Sequence, residues 1–342
     1  NINNEWSYLY RPFNGQWGAT VRTTDLAVAL ASPMEWSVLP DAGLLPGDEG
    51  DILFVDDADD RAGPPQLYFD AAFQSMGIAD RVDRFDVLGP SSSVGNSLGS
   101  RVKNVQNQMI GDALLEIYQK VLWNSGNLSA SLMGDGGTTA IPPGNGSEKS
   151  DDWYVCDYFL TNHTDNPGWY VAGDDFGEDW ATLGRFAPTV RNVYLPHTVA
   201  TGDHKTLGIP MSPVVYATTT APITHLVASF YAYGVCFAIN DFDVFAADAS
   251  IVDMTYQTVD DMGKAAVLAK ATPTASTMAR MVMSGFSYEF IRDDDLDGVS
   301  DAAQFLHDML IWFQNTVGDP VGIDPVAFSN TLENAYPNPF NP

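Results

Sequence analysis

The chain has 342 residues, 45% of them apolar and 12% aromatic, enough for one large or two ordinary domains with a packed core and too hydrophobic for a disordered tail. Its 16 Lys and Arg stand against 44 Asp and Glu, a formal net charge of −28 that excludes nucleic acid and anionic membrane surfaces as partners. Only eight of the acids are Glu and 36 are Asp, a residue that favours turns, caps and hard-cation sites, so the excess points to loops, to calcium or to a salty habitat.

Residues 1–50 are rich in Trp, Pro and Gly, with short extended stretches in WGATVRT and WSVLP, and they end in the turn-forming LPDAGLLPGDEG. This predicts a β-rich segment or the end of a preceding domain, followed by a linker. The main domain is expected over 51–318. DILFVDD at 51–57 has the form of a strand buried on both faces, and LYFDAAFQSMG at 67–77 that of a helix ending on Gly77. RFDVLGP and KVLWNSGN supply a second and a third strand. A Gly-rich loop follows, then a helix-like WYVCDYFLTNHT and a strand in GWYVAGDDFG.

HLVASFYAYGVCFAI and AAVLAK are apolar, and MARMVMSGF is strand-like. DAAQFLHDMLIWFQNTVG then places Ala302, Phe305, Leu306, Met309, Leu310 and Phe313 at spacings of three and four, predicting an amphipathic helix that ends near Gly318. Strands alternating with helices predict a three-layer α/β domain around a mostly parallel sheet. No run approaches the ~20 apolar residues of a membrane span, and no signal-peptide pattern opens the chain, so a soluble fragment or mature product is expected. Cys156 and Cys236 each lie inside an apolar run, which leaves buried free thiols and a single disulfide both open.

The last residues, LENAYPNPFNP, resemble the start of the C-terminal sorting domain of proteins exported by the type IX secretion system, carried by Leu332, Asn334, Tyr336, Pro337, Asn338, Pro339, Phe340, Asn341 and Pro342. The resemblance implies a secreted or cell-surface protein exported across the outer membrane, with 319–342 as linker and start of the sorting domain. The body resembles flavodoxin-like, class I glutamine-amidotransferase-like domains through ILFVDD, YQKVLWNSGN, WYVAGDD, MVMSGFSYEF and FLHDMLIWF in that order. Catalytic members of that family carry a Gly-x-Cys-x-Gly elbow and a later His-x-Glu. Here the elbow stretch is Gly173-Asp174-Asp175-Phe176-Gly177, with Asp175 at the nucleophile position, and none of the five His is followed two residues later by Glu. The resemblance therefore implies a scaffold without its thiol nucleophile. Val55-Asp56-Asp57 is also similar to the acidic pair of receiver domains, but the third strand ends in Asn124 and Ser125 where a receiver needs its phosphoacceptor Asp.

Two acidic constellations remain. Strand ends of a parallel sheet converge on one edge, and Asp56, Asp57, Asp59 and Asp60 follow one strand while Asp174 and Asp175 follow another. Brought together they would hold calcium or magnesium; kept apart they would cap helices and bond loop amides. Asp293-Asp294-Asp295-Leu296-Asp297-Gly298-Val299-Ser300-Asp301 fits the D-x-D-x-D-G loop, which is similar to thrombospondin type 3 and EF-hand loops. Asp293, Asp295 and Asp297 would be calcium ligands through their side chains, Val299 through its carbonyl, and Asp301 directly or through water. Position twelve is Gln304, not the bidentate acid.

His197 and His204 flank TVATGD as weaker ligand candidates, and Trp6, Tyr8, Tyr10 and Trp17 form an aromatic cluster suited to a glycan platform. The sequence thus predicts a non-catalytic, secreted or cell-surface structural or binding module, calcium-stabilised, with further copies of itself, other extracellular proteins or glycans as partners. The alternatives are a metal-assisted hydrolase of peptides or glycans, and a glycan-binding module.

Overall fold

The computed structural model describes residues 17–20, 35–38, 51–58, 65–86, 118–126, 133, 152–173, 176–177, 190, 192–204, 214–233, 242–257, 263–293 and 298–321. Strands β1 (Trp17–Thr20) and β2 (Glu35–Val38) pair antiparallel in a small sheet of their own. The large sheet has twelve strands: β3 (Ile52–Asp56), β4 (Val82–Asp86), β5 (Lys120–Asn124), β6 (Gly168–Ala172), β7 (His197–His204), β8 (Val214–Ala217), β9 (Ser229–Ala232), β10 (Phe242–Ala247), β11 (Val252–Tyr256), β12 (Ala265–Pro273), β13 (Met278–Ser284) and β14 (Ile291–Arg292). Helices α1 (Pro65–Ser75), α2 (Asp152–Asn162) and α3 (Asp301–Trp312) complete the described domain.

The sheet has two halves of different character. Five strands run parallel in the order β4-β3-β5-β6-β13. β12 then pairs antiparallel with β13 and carries β11, β8, β9 and β14 beyond it, while β10 joins β12 to β7. Of the eleven pairings described within the large sheet four are parallel, so the expected mostly parallel sheet is corrected to a mixed one. Part of the reason lies in turns and part in pairing between distant strands, such as β10 with β7. After β6 the connections contain turns that return the chain beside itself, such as Thr274–Thr277, where Thr274 N–H donates to Thr277 O and the Thr274 hydroxyl accepts from the Thr277 amide.

The central parallel strands β3, β5 and β6 are buried on both faces, as their largely apolar runs require. Ile52, Phe54, Leu122 and Tyr170 face a core shared with Phe69 and Phe73 of α1 and Phe305, Leu306, Met309 and Leu310 of α3. Leu53, Val55, Trp123, Trp169 and Val171 face the opposite core with Cys156, Phe159 and Leu160 of α2. Helices therefore cover both sides of this half. No helix among the described residues is long and apolar enough to cross a membrane.

Helix ends follow backbone chemistry. Gly77 takes φ +68°, and the Ile78 and Gly77 amides donate to Phe73 O and Gln74 O, which closes α1 at the predicted glycine. All six predicted apolar positions of α3 are buried, but the helix stops well before Gly318. There Gln314 takes the left-handed conformation at φ 64°, and the Asn315 amide donates to Leu310 O. Asn315 is held in turn by Asp51 (2.6 Å) and Arg81 (2.7 Å), so a tertiary network ends the helix where no glycine does.

Phe305 lies 6.2 Å from the ring of Tyr170 and 5.7 Å from that of Phe230, joining the two halves of the sheet under α3. Phe305→Ala is expected to cost about 3–5 kcal/mol of unfolding free energy, read from urea denaturation followed by near-UV circular dichroism.

Candidate functional site

The five parallel strands end in one row, with Asp86, Asp56, Asn124, Ala172 and Ser284 in register. The succession of strands reverses between β3 and β5, since β4 lies on one side of β3 and β5 on the other. In open α/β sheets a crevice outside the carboxyl ends at such a reversal is where ligands bind. Here the chain's own turn after β13, Ser287–Phe290, reaches Asn124 at that point.

Asn124 is the centre of the arrangement. Its Nδ2 donates to Glu289 Oε2 at 3.0 Å, its Oδ1 accepts the Tyr288 amide at 3.2 Å, and its backbone O accepts the Asp57 amide at 2.8 Å. Ser287 Oγ lies 3.1 Å from Asn124 Oδ1 and also against Glu289 Oε2. Asn124 and Ser287 are fully buried and Glu289 is 3% exposed. Burial pushes the Glu289 carboxyl above its ordinary range, while the hydrogen bonds from Ser287 and Asn124 and the charge of Arg292 pull the other way. Its Oε1 is buried without a hydrogen-bond partner among the described residues.

The turn is fastened from both sides. Tyr288 OH donates to Ala302 O at 2.8 Å, and its ring stacks on Phe69 at 4.0 Å. Arg292 Nη1 donates to Glu289 O, and the guanidinium lies 5.6 Å from the ring of Tyr68 and 4.9 Å from that of Tyr233. A buried carboxyl, a hydroxyl and an amide thus bond one another, and the contacts they make close the turn onto the strand end.

The predicted acidic residues take separate places. Asp56 Oδ1 accepts the Ala58 amide at 3.1 Å, a loop-closing bond. Asp57 is buried, and Asp59, Asp60, Asp174 and Asp175 lie outside the described residues. β5 stands between β3 and β6, the strands that the two acidic groups follow. At the end of the elbow stretch, the Gly177 amide donates to Asp243 Oδ2 at 2.5 Å. In the calcium-type loop, Asp293 is half-buried after β14, Gly298 has φ +88°, Val299 precedes the cap, and Asp301 is fully buried in the first turn of α3. Ser300 caps that helix by accepting the Ala303 amide. Asp295 and Asp297 lie outside the described residues. Among the described residues no group of three or more His, Cys, Asp or Glu is placed to hold a metal.

His197 is a buried strand residue with Nδ1 2.7 Å from Leu195 O and its ring edge-on to Phe245. Only the backbone of His204 is described, opposite Phe242. Cys156 is a buried free thiol, pushed well above its ordinary pKa first by burial and further by Asp157, while Cys236, Trp6, Tyr8, Tyr10 and the terminal motif lie outside the described residues. Sequence reasoning missed Ser287 and Glu289. Their signal is a lone Glu inside an apolar, aromatic run, MVMSGFSYEF, where a charge has to be accounted for.

No family model matches the chain, and no curated protein sequence matches it significantly. Among solved structures it is similar to a cold-adapted β-galactosidase from Rahnella sp. R3, at 14% identity and TM-score 0.42 over 78% of this chain and 32% of that one. A catalytic mutant of Gan42B, a GH42 β-galactosidase from G. stearothermophilus, is similar at 10% identity and TM-score 0.40 over 80% of this chain and 31% of that one. A ThuA-like protein from Parabacteroides merdae is similar at 10% identity and TM-score 0.35, over 79% of this chain and 92% of that one. The chain spans about a third of the length of the two β-galactosidases. At this level of likeness none of the three carries an argument about activity.

Asn124→Ala removes the acceptor of the Tyr288 amide and a donor to Glu289 together. The expected cost is about 2–4 kcal/mol in urea denaturation, because the abandoned partners stay buried.

Proposed function

We propose that the chain is a non-catalytic α/β module of a secreted or cell-surface protein, exported across the outer membrane, that holds extracellular partners or further copies of itself. The observation that carries this reading is the closed switch point: Ser287–Phe290 lies where a ligand crevice would open, and Asn124 holds it there through its side-chain amide and side-chain carbonyl. Numbered by appearance, the parallel strands follow the order 2-1-3-4-5 of flavodoxin-like sheets, which supports the class I glutamine-amidotransferase-like reading of the body. Asp175 at the elbow position, and Asp243 occupying the Gly177 amide, support a scaffold without nucleophilic chemistry.

A second element of the reading is calcium at 293–301. Its support is the left-handed Gly298 at the loop position that needs a sharp turn, together with the buried Asp301 carboxylate at position nine. The proposed ligands are Asp293, Asp295, Asp297, the Val299 carbonyl and Asp301. The acids at 56, 57, 174 and 175 are read as loop and cap residues, in keeping with the bond from Ala58 to Asp56.

Two measurements test these parts separately. Assayed on peptide and glycoside panels with calcium, magnesium or zinc supplied, the protein is expected to give no turnover above that of Asp57→Asn/Asp175→Asn; turnover lost in that variant would establish a metal-assisted hydrolase instead. Calcium at a hundredfold its Kd should add about 2.7 kcal/mol of stability and raise the melting temperature by several degrees. Chelator should reverse the rise, sodium chloride should not reproduce it, and Asp295→Asn/Asp297→Asn should abolish it. A melting temperature indifferent to calcium and chelator would remove calcium from the reading.

A further inference from the structure

Between β8 and β9 the chain crosses to α3, and two carboxylates from other elements receive it. The Ile223 amide donates to Asp253 Oδ1 of β11 at 3.0 Å, and the Leu226 amide donates to Asp308 Oδ2 of α3 at 2.5 Å. His225 stands between the same two acids, with Nε2 2.7 Å from Asp253 Oδ2 and Nδ1 3.6 Å from Asp308 Oδ2. The three side chains are 2%, 0% and 3% exposed, and the imidazole lies parallel to the ring of Phe305 at 6.1 Å. The ends of the segment are pinned by backbone bonds from the Thr218 amide to Asp253 O and from the Ala217 amide to Ala228 O.

Only the imidazolium presents a donor on each ring nitrogen; a neutral ring turns a lone pair toward one of the carboxylates. We propose that residues 218–228 form a latch, closed on α3 while His225 carries its proton and released locally when the proton is lost, with the parallel half of the sheet remaining folded. The other titratable groups at the latch are His307, whose Nδ1 lies 3.1 Å from Asp308 Oδ1, and the exposed Asp319, 3.5 Å from His307 Nε2. His225 itself pairs with Asp253 and Asp308, and these are the charges that decide its state.

Burial by itself favours the neutral ring, but the hydrogen bond to Asp253 and the charges of Asp253 and Asp308 prevail and push the His225 pKa up to about 9. In the unfolded chain the value is about 6.5. A group whose pKa is raised on folding stabilises fully below its unfolded value and loses that contribution as pH climbs through its folded one. The latch is therefore fully closed below about pH 6.5 and opens as pH rises through about 9.

Amide hydrogen exchange, corrected for intrinsic rates, reads this directly in the whole chain. Protection of Ile223 and Leu226 is expected to fall at least tenfold between pH 7 and pH 10, while that of Leu122 and Val171 holds. Protection unchanged at Ile223 and Leu226, or lost in step with Leu122 and Val171, overturns the proposal. Asp308→Asn retains an acceptor for the Leu226 amide but removes one charge, so its opening midpoint should fall by about one pH unit or more; an unmoved midpoint overturns it. A ring titration of His225 by NMR in the unaltered protein provides the same decision should that variant fail to fold: a ring that titrates at the unfolded value refutes the latch.

Discussion

The constraint on which the structure depends is the burial of the central parallel strands on both faces. A strand such as Ile52–Asp56, all of whose residues are buried, runs into the buried Asp57, and the polar groups that emerge there must find partners inside the protein. Asn124 meets that need at the reversal of the strand order by bonding both Glu289 and the backbone of the turn that carries it. The helix packing follows from the same constraint. Tyr288 can stack on Phe69 of α1 and bond Ala302 of α3 because the turn is held against the strand ends.

The same need accounts for part of the acidity. Nine acids among the described residues are buried: Asp56, Asp57, Asp83, Asp152, Asp243, Asp253, Glu289, Asp301 and Asp308. Several accept loop amides, as Asp56 does from Ala58, Asp243 from Gly177, Asp253 from Ile223 and Asp308 from Leu226. A short carboxylate reaches a nearby N–H with little side-chain entropy to lose, which favours Asp over Glu at these positions. A share of the net charge of −28 therefore sits inside the fold, acting as loop fasteners, and is not dispersed over the surface.

The two halves of the sheet answer to different physics. In the parallel half, strands alternate with helices and the hydrophobic runs are continuous, so β3, β4, β5, β6, α1 and α3 are all legible in DILFVDD, RFDVLGP, KVLWNSGN, GWYVAGDD, the run to Gly77 and the 302–313 stripe. The antiparallel half is harder to read, because β8 and β9 are short, and strands such as β7 are rich in Thr and His with weak alternation. Its coherence comes from pairing across long separations, such as β10 with β7 and β11 with β8, which no local pattern encodes.

By itself the sequence determined the α/β class, the strands buried on both faces, the helix stop at Gly77, and the absence of a thiol nucleophile where the resemblance to amidotransferase-like domains would place one. These are properties of short windows, set by apolar periodicity, glycine stereochemistry and residue identity. Only the tertiary structure decided that half of the sheet turns antiparallel, that Glu289 meets Asn124 across 165 residues, and that His225 lies between two buried carboxylates from different elements. The physical reason is that a lone Glu or His carries no directional signal in sequence. Its chemistry is set by the dielectric and the partners that distant segments bring to it, and those exist only once the chain has packed.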